Sequence, residues 1–221
     1  SAAALCAALR KLGKKAAVLI EDKIPANIKF LDKGYCIPIS DFQEWEYDVC
    51  IALDCSDWAR IEKRQEYFQK GVRTALLDHH TTTQPFADLN YVEPETSSTG
   101  EIVFQLLKKM EVVPDADIAE PLYAAIVTDT GNYMYSNTSP ETHLVAAELL
   151  KTGVDHSRIT VEIYQSKRIE KVRITCAILG TMELFHNGKG NIAFMTQQML
   201  TESGAYTEET EGIVEELRSI N

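Results

Sequence analysis

The chain has 221 residues, 45% of them hydrophobic, and carries 22 basic against 33 acidic side chains for a formal net charge of −11. That is enough apolar material for one full core and part of a second, with no sign of a disordered chain, and the negative balance argues against tight binding along long duplex nucleic acid. A small phosphorylated ligand stays compatible with an acidic pocket, because bound cations invert the local field.

Residues 1–12 are Ala-rich and closed by Gly13, which predicts a helix, and residues 16–20 predict a strand. The chain thus begins inside a helix where an α/β domain would lead in from a strand, so an upstream element is expected. Residues 25–31 read as a short helix or turn, and residues 34–39 as an extended piece limited by Pro38. Residues 48–53 form a continuous apolar run, read as a buried strand, that ends on Asp54 before a polar Cys55-Ser56-Asp57 turn. A charged amphipathic helix over residues 58–70, ending at Gly71, leads to a second buried strand, residues 74–77, which delivers Asp78-His79-His80. Strand, helix and strand in that order predict a right-handed crossover.

Residues 81–96 are polar and Pro-punctuated, a loop with one short strand near residues 90–92. Ser98 and Glu101 fit a capping box opening a helix over residues 102–109, and nothing beyond a helix start is read into them. The next helix, residues 115–127, contains Pro121, which either kinks it or marks the start of its second half. It runs into Thr128-Asp129-Thr130-Gly131, leaving the Asp129 side chain free to point at a site. Ser139 and Pro140 open a helix over residues 142–151. Past Gly153 come helical stretches at 154–164 and 169–179, strands at 181–185 and 191–195 joined by Asn187-Gly188-Lys189-Gly190, and an acidic helix over 208–218 capped by Thr207.

The predicted fold is α/β: a doubly wound, mainly parallel sheet flanked by helices, followed by the start of a second α/β domain. Residues 1–153 are assigned to the first domain, 154–180 to a helical connector and 181–221 to the second. The five cysteines, Cys6, Cys36, Cys50, Cys55 and Cys176, are odd in number and lack C-x-x-C spacing, so reduced thiols and a cytoplasmic protein are expected. No apolar stretch has the length of a membrane span, and the first nine residues lack the pattern of a signal peptide.

Asp54, Asp78-His79-His80 and Asp129 all fall at ends of apolar elements, at the edge where an open parallel sheet binds ligands. Taken singly, each has an ordinary explanation, since Asp in a turn often bonds only its own backbone. Together they form a carboxylate and imidazole set suited to a divalent transition metal such as manganese, whereas thiolate-rich sets favour zinc. His143, His156 and His186 are read as structural or solvent-exposed, and Asp22, Asp32 and Asp41 as turn or solubility residues.

The order Ala52-Leu53-Asp54-Cys55-Ser56-Asp57, Leu76-Leu77-Asp78-His79-His80, Ser97-Ser98-Thr99-Gly100-Glu101 and Ala125-Ile126-Val127-Thr128-Asp129-Thr130-Gly131 resembles the DHH phosphoesterase superfamily. It is most similar there to the branch of small-oligoribonucleotide hydrolases (nanoRNases) and phosphoadenosine-phosphate phosphatases, and the resemblance covers nearly the whole chain. It implies two divalent ions per intact site, usually manganese, with magnesium or cobalt as alternatives. Asp54 would bridge them, His79 and Asp129 would bind one, His80 would contact the scissile phosphate, and Asp78 would orient the histidines from behind. The implied reaction is two-metal, in-line displacement at phosphorus. Implied substrates are short single-stranded RNA, phosphoadenosine phosphate or cyclic-dinucleotide products; no membrane partner is expected within this chain, and a homodimer is left open.

The family's first motif, a His followed by D-x-D, has no counterpart, nor does the Gly-rich, His-containing motif of its second domain. The chain is therefore expected to be an interior portion of a longer protein. Two other readings remain: a non-catalytic nucleotide- or metal-binding module, and a manganese pyrophosphatase, against which the Ser97–Glu101 and Thr128–Gly131 motifs weigh.

Overall fold

A computed structural model describes residues 1–21, 23–43, 45–210 and 212–220. The chain divides into two compact units, Ser1–Ile163 and Tyr164–Asn221.

The first unit is built from parallel strands flanked by helices. Helix α1 (Ala2–Lys11) precedes β1 (Val18–Ile20) and β2 (Cys36–Pro38), which pair in parallel. Strands β3 (Val49–Leu53), β4 (Arg73–Asp78) and β5 (Leu89–Val92) form a second parallel sheet in that order, with α2 (Gln65–Gln69) inside the β3–β4 crossover. Then follow α3 (Thr99–Lys109), α4 (Ala116–Asp129), α5 (Pro140–Leu150) and α6 (His156–Thr160).

Register decides where the site lies. Leu53 pairs with Leu77, and the Asp54 N–H extends the ladder to the Leu77 carbonyl at 3.0 Å, so β3 and β4 end level. Helix α4 is buried along most of its length, through Ile118, Leu122 and Ile126, and packs against α1, α3, α5 and α6. Ala4 and Ala8 of α1 are fully buried, and such small side chains permit close helix packing. Gly100 serves the same purpose on α3: a Cβ there would meet the Ala125 Cβ at 2.7 Å.

Three expectations for this unit change. The single helix over residues 58–70 is a 3-10 helix, Trp58–Arg64, broken at Glu62 (φ 52°) and followed by α2. On a continuous α-helix Trp58 and Phe68 would sit about 15 Å apart; the break brings their rings to 5.9 Å, and both meet Phe86 at 5.7 Å. The helix containing Pro121 runs on to Asp129, which is its last residue and not part of a following turn. The capping box at α3 is half formed. Ser98 Oγ accepts from the Glu101 N–H, but the Glu101 carboxylate bonds Ser97 instead of the Ser98 backbone.

The second unit holds α7 (Ile169–Leu179), the antiparallel hairpin of β6 (Glu183–Phe185) and β7 (Gly190–Ile192), α8 (Gln197–Ser203) and α9 (Ile213–Arg218). Ile174 and Ile178 of α7 make its small core with Leu200 and Ile213. Residues 154–180 are thus shared, with α6 in the first unit and α7 in the second. Helix α8 was not anticipated, although Thr196 caps it and Gly204 closes it at φ +70°. The acidic helix over 208–218 is instead a 3-10 turn, Thr207–Thr210, and α9, which opens at Gly212 with φ +92°. No helix among the described residues is long and apolar enough to cross a membrane, and all five cysteines are free.

Candidate metal centre

The centre is assembled where β3, β4 and α4 end. Asp54, the first residue past β3, has φ 60°, a left-handed conformation that Asp tolerates better than most residues and that costs on the order of 1 kcal/mol. Its Oδ1 accepts a 3.0 Å bond from the Thr99 hydroxyl at the start of α3. His79 Nε2 lies 3.6 Å from Asp54 Oδ1 and 3.9 Å from Asp129 Oδ2, and His80 Nδ1 lies 3.9 Å from Asp54 Oδ1. The ligand atoms of Asp54, His79 and His80 all lie within 4.8 Å of one another.

Those separations are too long for hydrogen bonds. The His79 Nε2 separations from Asp54 and Asp129 fall between about 3.0 and 4.2 Å, the spread for two ligands held about 2.1 Å from one cation at angles from a right angle to a straight line. Electrostatics agree with this. Burial pushes the Asp129 carboxyl up to about 6, the charge of Asp54 adds to the rise, and His79 opposes it. A half-buried imidazole facing two carboxylates, of which Asp54 is the more exposed, fits a divalent cation.

Asp78 is fully buried behind the histidines. One carboxylate oxygen accepts from the His79 N–H and from His80 Nδ1, both at 2.8 Å, and the other accepts from the Thr83 hydroxyl at 2.5 Å. Burial raises this carboxyl, but the bonds from Thr83, His80 and His79 outweigh it and hold Asp78 below the ordinary carboxylate range. His80 Nδ1 is therefore a donor, which leaves Nε2 as its other ring nitrogen. His79 Nδ1 faces the Thr96 carbonyl at 3.3 Å. A carbonyl only accepts, so the contact calls for the proton on Nδ1, and in the neutral ring the Nε2 lone pair then faces Asp54 and Asp129.

The five residues singled out from sequence thus gather at one point. Thr83, Thr96, Thr99 and Asn137 were missed, although each holds a site residue. Asn137 Nδ2 donates to both the Ser97 and Asp129 carbonyls at 3.0 Å. Ser, Thr and Asn in loops carry no signal of their own; only the step from Ser98 to Thr99, into a helix that starts beside β4, could have pointed to one of them. Of the other histidines, His143 is exposed and stacked on Tyr133, His156 opens α6, and His186 sits in the hairpin of the second unit. Asp32 caps a turn by accepting from the Tyr35 and Cys36 N–H groups, Asp41 bonds Ser40, and Asp22 lies outside the described residues.

The chain is similar in sequence and in fold to known proteins. A bifunctional oligoribonuclease and PAP phosphatase NrnA of Thermus thermophilus is 32% identical over 194 residues, 85% of this chain and 56% of that protein. The Bacillus subtilis protein of the same name is 26% identical over 190 residues, 85% of this chain and 59% of its own length. The chain therefore spans somewhat over half the length of these two relatives. In fold it is similar to the crystal structure of an exopolyphosphatase-related protein from Bacteroides fragilis, with a TM-score of 0.90 and 24% identity over 99% of this chain and 67% of that one. Residues 1–126 match the family described as "DHH family, N-terminal domain". That match takes in more than half of the sequence, with Asp54 and Asp78-His79-His80 inside it, and the chain belongs to the DHH family.

Proposed function

We propose that the chain carries the metal centre of a manganese-dependent phosphoesterase that hydrolyses short oligoribonucleotides, phosphoadenosine phosphate or cyclic-dinucleotide products. One observation carries the reading: Asp54, His79 and Asp129 converge at non-bonded distances, with His80 beside them braced by a buried carboxylate. Asp54, His79 and Asp129 are the proposed ligands, a mixed oxygen and imidazole set that suits manganese. A divalent ion bound there supplies positive charge that acidifies water and neutralises a phosphoryl group.

The chain's own residues do the rest. Asp54 presents one oxygen to both histidines and is kept from rotating by Thr99. His80, with Nδ1–H committed to Asp78, offers Nε2 to a phosphate oxygen and can donate a proton there when charged. Asp78 fixes the orientation of the ring. Similarity to proteins named for oligoribonuclease and PAP phosphatase activity supports the substrate class, in which each member presents a phosphate ester on a small, flexible nucleotide.

The test is phosphate or mononucleotide release from a diribonucleotide and from phosphoadenosine phosphate, with manganese, by the wild type and by His80→Ala and Asp54→Asn. Turnover that falls by orders of magnitude in both variants, with the fold retained by circular dichroism, is expected. Full activity in Asp54→Asn would overturn the assignment.

A further inference from the structure

The turn over residues 96–99 bonds two of the proposed ligands directly and reaches the third through Asn137. The Thr96 carbonyl accepts from His79 Nδ1, the Thr99 hydroxyl donates to Asp54, and the Ser97 carbonyl shares the Asn137 amide with the backbone of Asp129. A turn with so much resting on it needs an anchor, and the anchor is Glu101. This carboxylate is only 2% exposed. One oxygen accepts the Ser97 hydroxyl at 2.7 Å, the Ser97 N–H at 3.2 Å and the Thr142 hydroxyl of α5 at 3.3 Å. Those donors are neutral. A buried carboxylate held by neutral donors costs more to bury than a Gln or Leu at a mere helix start, where Ser98 already supplies the cap.

We infer that Glu101 is the positioning residue of the metal centre: by clamping Ser97 it holds the Thr96 carbonyl against His79 Nδ1 and so presents Nε2 unprotonated to the ion. The physical need is specific. Two carboxylates lie 3.6 and 3.9 Å from Nε2, and each favours a proton on that nitrogen. Only a well-placed acceptor at Nδ1 keeps the proton on the other side of the ring, where it does not compete with a cation. Thr96 is that acceptor, and its place depends on the next residue, which Glu101 grips twice. The inference rests on the proposed ligand role of His79, but its first readout needs neither metal nor turnover.

Nitrogen-15 NMR of the metal-free protein at about pH 8.5, some two units above an ordinary imidazole pKa, reports which His79 nitrogen carries the proton. The wild type is expected in the Nδ1–H form. Glu101→Ala and the milder Ser97→Ala are expected to move His79 toward Nε2–H and to weaken manganese binding about tenfold to a hundredfold. Glu101→Gln, which keeps an acceptor, should recover most of both. Thr142→Val removes the α5 bond while leaving the Ser97 clamp, and is expected to lower stability with less than a twofold change in metal affinity. If Glu101→Ala does not fold, Ser97→Ala and Thr142→Val decide alone. The inference is overturned if Ser97→Ala keeps the Nδ1–H form and wild-type affinity, or if Thr142→Val loses as much affinity as Ser97→Ala. A failure of Asp54→Asn to alter metal binding would instead refute the metal centre itself.

Discussion

Asp78 Oδ1 lies 2.8 Å from His80 Nδ1, a hydrogen bond accepted by a carboxylate with no exposure to solvent. Asp78→Asn would replace an acceptor that accommodates His80 in both charge states with an amide that gives the ring no charge to lean on. Activity is expected to fall about tenfold to a hundredfold, with little change in substrate KM, as is typical when a partner behind a catalytic or ligating imidazole is lost. Steady-state kinetics on a diribonucleotide checks this, and an unchanged kcat would contradict it.

Thr83 holds the other Asp78 oxygen at 2.5 Å. Thr83→Val keeps the shape and leaves that oxygen buried without its hydroxyl donor, a loss of about 1–3 kcal/mol. Urea denaturation is expected to register it, together with a higher Asp78 pKa.

Asp129 and Asp78 give opposite pH dependences. Asp129, pushed up to about 6, holds its proton in the folded state at pH values where the unfolded chain has released it. Its effect is absent below the ordinary carboxylate pKa of about 3.9, and the metal-free protein loses stability as pH rises from there through about 6. With its side chain about a quarter exposed, at 26%, the cost at neutral pH is at most roughly 3 kcal/mol. Asp78, held low, contributes stability that is full above the ordinary carboxylate pKa and lost as pH falls through its lowered value. Denaturation of metal-free protein between pH 4 and 7 should therefore show a fall that Asp129→Asn removes. Manganese affinity should drop as pH is lowered through about 6, where protons compete for Asp129.

Gly100 is where α3 and α4 approach most closely in the site's scaffold. An added methyl would meet the Ala125 Cβ at 2.7 Å and the Leu122 carbonyl at 3.3 Å. Gly100→Ala gains helix propensity but overpacks the contact, and a net destabilisation of about 1–3 kcal/mol is expected in thermal or urea unfolding. Because residue 100 follows the 96–99 turn, metal affinity should fall with it.

Much of this was legible in the sequence, and the reasons are physical. Strands β3 and β4 are continuous apolar runs ending in acid and imidazole, so both the parallel pairing and the side of the sheet that bears Asp54 and His79 could be read directly. The break at Glu62 could not, because the pattern over residues 58–70 is amphipathic throughout and only Phe86, distant in sequence, makes the bend worthwhile. Glu101 was misread for a related reason. Its spacing from Ser98 satisfies the capping-box rule, while its actual partner is Ser97 and its second neighbour, Thr142, arrives from another helix. Propensity and spacing describe what a residue does for its own element, and the supports of this site work between elements.

The central claim is that Asp54, His79 and Asp129 together hold a divalent cation. Calorimetric titration of manganese into the metal-free wild type and into Asp54→Asn tests it most directly. The account predicts saturable binding to the wild type and its loss, by at least about a hundredfold in affinity, in Asp54→Asn. Equal affinity in the two proteins would contradict it.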